Sequence, residues 1–273
     1  MKRVLSIQDL SCLGQCSLGV ALPVLSACGA ECAVLPTALL STHTGSEFTP
    51  PVIRSLADTL PGVTGHWREM GITFDAVEIG YLGTQGLIQA VAEALPGLCR
   101  ADTLVVLDPV MADHGKFYAG FDEAYARSME ALIRRCDLLL PNLTEACLLL
   151  GRAPEPPDCP VETCLELCKD LTGLGAKTVV LTGLSLRPHQ VTNLVYTADG
   201  RHALLNHIRL KGSYHGTGDL FASACLGSIL RGDTVTEAVR RAGRFVSAAI
   251  ANTPQEKRYG TCFEQCLHHL CSE

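Results

Sequence analysis

The residues of this chain whose types and spacing most directly suggest chemistry are Gly216-Thr217-Gly218-Asp219. Two glycines flanking a threonine leave backbone N–H groups bare. The run Leu220-Phe221-Ala222-Ser223-Ala224-Cys225 behind them predicts a helix, with Asp219 as its capping residue. Exposed amides at a helix N-terminus attract an anion. A carboxylate beside them repels phosphate, yet it is well placed to take a proton from a hydroxyl that attacks one. The expectation is a general base, Asp219, next to a turn of Gly216, Thr217 and Gly218 that cradles a transferring phosphoryl group. An ordinary strand-to-helix turn with a capping aspartate would carry the same four residues.

Such a turn needs elements to position it. Apolar and β-branched runs predict strands over 4–8, 33–36, 76–81, 103–107, 137–140 and 178–183, and a hairpin joins 190–196 to 201–209 through Asp199-Gly200. Helices are expected over 17–28, 51–60, 121–134, 164–174, 219–231, 234–252 and 262–270, and one more ends at Leu95. Residues 61–71, rich in Gly, Thr and His, read as a connection or a broken helix. Alternating strand and helix predicts an α/β fold with a mainly parallel central sheet and helices on both faces, as one domain spanning 1–273.

In such a sheet ligands lie outside the carboxyl ends of the strands, and several polar clusters fall there. Ser41-Thr42-His43-Thr44-Gly45-Ser46-Glu47 follows the second strand, and Tyr81-Leu82-Gly83-Thr84 ends the third. Asp108 and Asp113, in a loop shaped by Pro109 and Gly115, suit a triphosphate or a metal held through water. Asn142 and Glu145 have the spacing of a capping box, and Glu145 is also a candidate metal residue. Thr182-Gly183 closes a strand where a nucleotide could lie.

Composition narrows the partners. The 273 residues are 47% hydrophobic with mean hydropathy +0.22, enough for a large core. Net charge is −6 and no block of Lys or Arg stands out, which argues against nucleic acid and anionic membrane. Between Leu18 and Leu40 only Glu31 is charged, but Pro23, Gly29 and Pro36 interrupt the run, so a buried helix and strand are expected there and no membrane span. The N-terminus reaches Asp9 before a signal-peptide core develops. Fourteen cysteines are scattered without a Cys-x-x-Cys, the pattern of reduced thiols in a cytosolic protein.

Taken in order, Ser6-Ile7-Gln8, Ser41-Thr42-His43-Thr44-Gly45, Gly80-Tyr81, Asp108-Pro109-Val110-Met111, Pro141-Asn142-x-x-Glu145 and Gly216-Thr217-Gly218-Asp219 resemble the pyridoxal kinases of the ribokinase-like superfamily, over essentially the whole chain. The resemblance implies that Asp219 is the base acting on the 5′-hydroxymethyl group of pyridoxal, pyridoxine or pyridoxamine. It implies an anion hole from Gly216, Thr217 and Gly218, and a pyridine ring bordered by His43 and Thr44 with Tyr81 nearby. Mg²⁺ with ATP would be placed by Asp108, Asp113, Asn142 and Glu145, largely through water, with Thr182 and Gly183 along the nucleotide. A monovalent cation such as K⁺, a homodimer and a cytoplasmic location are further expectations. One departure stands out: such kinases carry a serine after Ile-Gln, where this chain has Asp9, which would favour a protonated ring nitrogen. The glycine signatures of sugar kinases and of hydroxymethylpyrimidine kinases after the first strand are absent. Hydroxymethylpyrimidine kinase, another small-alcohol kinase of this fold, and a non-catalytic vitamer- or nucleotide-binding protein are the competing readings.

Overall fold

The computed structural model describes residues 1–44, 50–212, 214–257 and 259–271. Gly45, Ser46 and Glu47 of the polar loop lie outside the described residues. In chain order the strands are β1 (Arg3–Ser11), β2 (Glu31–Leu40), β3 (Ile53–Ser55), β4 (Phe74–Ile79), β5 (Cys99–Leu107), β6 (Ala112–Asp113), β7 (Lys116–Phe117), β8 (Leu138–Leu139), β9 (Thr178–Leu184), β10 (Gln190–Thr197) and β11 (His202–Ile208). The helices are α1 (Leu18–Ala27), α2 (Leu60–Glu69), α3 (Gln85–Leu98), α4 (Glu123–Ser128), α5 (Glu130–Ile133), α6 (Leu143–Leu149), α7 (Val161–Gly173), α8 (Thr217–Leu230) and α9 (Val235–Ala251). A 3-10 helix, Phe263–Leu270, follows.

Central strands carry apolar residues at successive positions because both faces of the sheet are covered. In β1 every side chain from Val4 to Asp9 is buried. Alternate residues then serve opposite cores. Ile7, Val77, Leu107, Leu139 and Val179 pack towards α2–α7. Val4, Ala76, Val106, Leu138 and Val180 pack towards α1, α8, α9 and the 3-10 helix. α8 is buried from Leu220 to Ser228, which is why its sequence is small and apolar all round.

The nine-stranded sheet has the order β11-β10-β9-β8-β5-β4-β1-β2-β3. Neighbours from β9 to β2 are parallel, whereas β3 at one edge and the β10–β11 hairpin at the other are antiparallel. The chain steps outward from β1 to β2 and β3, then returns to β4 on the other side of β1. That reversal opens a crevice at the carboxyl ends of β1 and β4, the place where open α/β sheets bind ligands.

Two expected elements differ. Residues 51–59 are not helical: Ile53–Ser55 forms β3 against the end of β2. Two prolines and the β-branched Val52-Ile53 pair favour extended backbone there. The helix lies instead over Leu60–Glu69, in the stretch read as a connection or a broken helix, with Pro61 tolerated in its first turn. Leu60 and Thr64 are buried on its inner face, and Trp67 packs on the core, which outweighs the cost of Gly62 and Gly65. The expected helix over 121–134 divides into α4 and α5 at Met129.

Candidate active site

The site is built on the N-terminus of α8. Gly216 is the N-cap, in left-handed backbone at φ 78°. A Cβ there would sit 1.9 Å from the carbonyl oxygen of Gln15, so only glycine lets this turn approach that loop. Asp219 is therefore not the cap that the sequence suggested. It is the third residue of the first turn, and its Oδ2 accepts the N–H of Ser17 from another element, at 2.9 Å. Ser17 is the N-cap of α1 and holds positive φ, 48°, an uncommon conformation for a serine. Two helix N-termini thus meet at one carboxylate.

Asp9 lies inside β1, which runs on to Ser11, and its side chain is buried. Its Oδ2 accepts from Ser11 Oγ at 3.1 Å, and the Ser17 side chain also hydrogen-bonds to it. Ser17 accordingly bridges the two carboxylates. Burial is the main cause that raises both from the ordinary carboxylate range. Asp219 is pushed up to about 6, with the charge of Asp9 adding to the effect and the Ser17 N–H opposing it. Asp9 is raised by burial and partly restored by its serine partners.

Every residue expected to bind or react lines a single cleft of ≈ 1360 Å³: Asp9, His43, Thr44, Tyr81, Asp108, Asp113, Asn142, Glu145, Thr182, Gly183, Gly216, Thr217, Gly218 and Asp219. Sheet order divides them. Asp9, near the end of β1, and His43 and Tyr81, which follow β2 and β4, lie on one side. Asn142, which follows β8 as the N-cap of α6, and Thr182 and Gly183 in β9 lie on the other. Asp108, at the end of β5, lies between, near enough that a Cβ on Gly218 would stand 3.6 Å from its Oδ2. On the first side the rings of His43 and His215 stand 4.6 Å apart, and Tyr81 meets Phe121 edge-on. On the second, Thr182 bridges to Asn142, and the Gly183 amide donates to Asn193 Oδ1.

Asn142 and Glu145 form a full capping box on α6: the Asn142 side chain accepts the Glu145 N–H, and Glu145 Oε2 accepts that of Asn142, each at 2.9 Å. Glu145 Oε1 accepts the Met111 N–H, and Asn142 Nδ2 donates to the Ala112 carbonyl. The pair therefore staples the Asp108–Asp113 loop to α6. Replacing Asn142 by alanine should lower stability by about 1–2 kcal/mol, read as a fall in Tm of about 3–6 °C. An unchanged Tm would show that the staple carries no weight.

Burial raises Glu145, against the pull of the amides it accepts. It also raises Asp108 well above the usual range, and the charges of Glu145, Asp219 and Glu78 add to that. Among the described residues, no Lys or Arg forms an ion pair with Asp9, Asp108, Glu145 or Asp219. No group of three or more His, Cys, Asp and Glu among them could enclose a metal by itself. Asp113 holds the His114 N–H, and Glu145 is committed to its two amides. This donor set suits a cation that arrives with polyphosphate and keeps its water, as Mg²⁺ does, and does not suit a protein-caged ion.

The sequence profile of the phosphomethylpyrimidine kinase family matches residues 67–262. A pyridoxine/pyridoxal/pyridoxamine kinase of Bordetella bronchiseptica is 31% identical over 265 residues, 92% of this chain and 89% of its own. The chain belongs to this kinase family. Among solved structures, a Bacteroides thetaiotaomicron protein provisionally assigned as a phosphomethylpyrimidine kinase, crystallised with pyridoxal, is 34% identical with a TM-score of 0.93. That match covers 98% of this chain and 95% of the other. The pyridoxal kinase of Lactobacillus plantarum is 34% identical with a TM-score of 0.90, over 99% and 96% of the two chains. The resemblance to pyridoxal kinases of the ribokinase-like fold is borne out over the length of the chain, and the molecule is a kinase.

Sequence reasoning did not identify several residues that shape this kinase site. Ser11, Ser17 and His215 carry no spacing signal. Glu78 did have one, as a lone charge within the apolar run Ala76-Val77-Glu78-Ile79.

Proposed function

We propose that this enzyme transfers the γ-phosphoryl group of ATP to the 5′-hydroxymethyl group of a vitamin B6 vitamer, for salvage of pyridoxal 5′-phosphate, within a single domain. The observation that carries the reading is the placement of Asp219, at a glycine turn and between two polar halves of one cleft. Asp219 accepts the acceptor's hydroxyl proton as the new O–P bond forms. The bond from the γ-phosphorus to the ADP oxygen breaks, and its electrons leave with ADP. Backbone amides of the Gly216–Gly218 turn face the charge that develops on the phosphoryl oxygens. Asp108, Asn142, Glu145 and Asp113 would hold Mg²⁺–ATP through water, the cation supplying neutralisation of phosphate charge, and Thr182 and Gly183 would lie along the nucleotide. Asp9, His43, Thr44 and Tyr81 border the acceptor ring. K⁺ is proposed as an activating monovalent ion.

The vitamers named for the Bordetella relative, and the pyridoxal in the Bacteroides protein, support this acceptor. The family profile favours a second reading, a hydroxymethylpyrimidine kinase. ADP release measured separately with pyridoxal, pyridoxamine, pyridoxine and hydroxymethylpyrimidine, with and without K⁺, separates the two. We expect the highest kcat/KM on a vitamer; turnover confined to the pyrimidine would replace the proposal by the second reading.

Because Asp219 is held up at about 6, kcat/KM for the acceptor should fall about tenfold per pH unit below 6, as the base takes up its proton. Leu10, Leu39, Val52 and Ile53, exposed apolar residues around β1–β3, support a homodimer closed over that edge. All fourteen cysteines are free thiols, which supports a cytoplasmic location. No helix among the described residues is long and apolar enough to cross a membrane.

A further inference from the structure

We propose that Glu78 is a positioning residue for Asp219. Through Ser223 it fixes the face of α8 that presents Asp219 to the cleft, and through Ser6 and Gln8 it ties that face to the end of β1. The inference rests on the reading of Asp219 as the base.

Glu78 stands in the middle of the sheet, 2% exposed, on a strand whose other residues are almost all apolar. Its Oε1 accepts from Ser223 Oγ at 2.7 Å and its Oε2 from Ser6 Oγ at 2.9 Å. Ser6 Oγ accepts in turn from Gln8 Nε2 at 2.9 Å. Gln8 precedes Asp9, and it packs so closely on Gly80 that a Cβ there would lie 2.3 Å from its Oε1. Ser223 follows Asp219 by four residues, so both share one face of α8. The neighbouring Ala222, Ala224 and Cys225 set how deeply the helix packs but give its rotation no polar anchor. The hydroxyl of Ser223 on Glu78 supplies one.

A buried carboxylate without a cation weakens a fold. The titratable groups that face Glu78 are Asp219 on α8, Asp108 at the end of β5 and Cys32 on β2, none of them cationic. Burial raises Glu78 to about 7, against the two serine hydroxyls, which favour the ionised form. Glutamine at this position would therefore give a more stable protein at pH 8. What it would lose is an anion that accepts both hydroxyls at once, since an amide offers one acceptor and one donor.

The test compares wild type with Glu78→Gln and Ser223→Ala. In Glu78→Gln, kcat at pH 8 should fall about tenfold with both KM values within twofold, while Tm at pH 8 rises by about 3 °C. The wild-type acceptor profile should carry a step near 7 above the Asp219 limb near 6. That step should vanish in Glu78→Gln and move to higher pH in Ser223→Ala, where the ionised form loses a donor. Hydrogen exchange gives a readout independent of turnover: amides at the start of α8 should exchange faster in Glu78→Gln despite its higher Tm. Unchanged kcat, an unchanged profile or unchanged exchange in α8 would overturn the proposal. If wild type proves inactive on every alcohol, the reading of the cleft fails, and the exchange result alone decides the role of Glu78.

Discussion

Replacing Asp219 by alanine should lower kcat by roughly two to four orders of magnitude while leaving ATP affinity within about threefold. The asymmetry follows from where the side chain sits. Its Oδ2 takes the Ser17 N–H, and Asp219 lines the cleft close enough to Asp9 to feel its charge. The expected nucleotide residues Asn142, at the start of α6, and Thr182 and Gly183, in β9, lie on other elements. Asp219→Asn is the stricter variant, because an amide oxygen can still accept from Ser17 and so keeps the turn in place. Its turnover should be as low as that of the alanine variant, although its fold should be firmer. The sign of the stability change follows from linkage. Asp219 is harder to ionise when folded, so its ionisation weakens the fold as pH rises from about 4 through 6, and the penalty persists above that. Removing the charge should raise stability at pH 8 by about 2–3 kcal/mol, seen as a Tm several degrees higher. A protein made more stable and nearly inactive by one atom's exchange is the signature of a functional carboxylate. Activity within a few-fold of wild type would mean that Asp219 is not the base.

The second large effect is expected at Gly216. Alanine there must adopt a left-handed conformation, costing about 1 kcal/mol, and its Cβ would fall on the Gln15 carbonyl oxygen. That neighbour is backbone, so either the first turn of α8 or the loop leading to Ser17 must move. Both hold Asp219. Gly216→Ala should therefore reduce kcat by at least about a hundredfold, since small misplacements of reacting groups are costly. It should also lower Tm by about 6 °C, from strain of roughly 2–3 kcal/mol. Steady-state kinetics and thermal denaturation on the same preparation check both. If kcat stays within threefold, the close approach of the turn to Gln15 does not matter for turnover.

Much of this was legible in the chain because the relevant signals are local. Apolar runs such as Val105-Val106-Leu107 specify strands, and the polar residues that end them reach one crevice through the geometry of a parallel sheet. Gly216 and Asp219 announced themselves by type. What stayed hidden are contacts between distant residues. Asp219 resembled a helix cap because nothing local shows that its partner is Ser17, 202 residues away. Glu78 reads as an anomaly in a strand until Ser6, 72 residues before it, and Ser223, 145 after it, are seen to converge on it. The misplaced helix near Pro61 has a different cause. Gly62, Gly65 and Thr64 lower local helix propensity, and tertiary burial of Leu60 and Trp67 overrides it.

The central claim is phosphoryl transfer to a vitamer hydroxyl by Asp219. Its most direct test is a competition in which wild type and Asp219→Asn receive Mg²⁺, ATP and equal concentrations of pyridoxal, pyridoxamine, pyridoxine and hydroxymethylpyrimidine, with products identified by mass spectrometry. The account predicts that wild type forms a vitamer 5′-phosphate as the main product and that Asp219→Asn forms at least a hundredfold less in the same time. A main product of hydroxymethylpyrimidine phosphate, or equal yields from the two proteins, would contradict it.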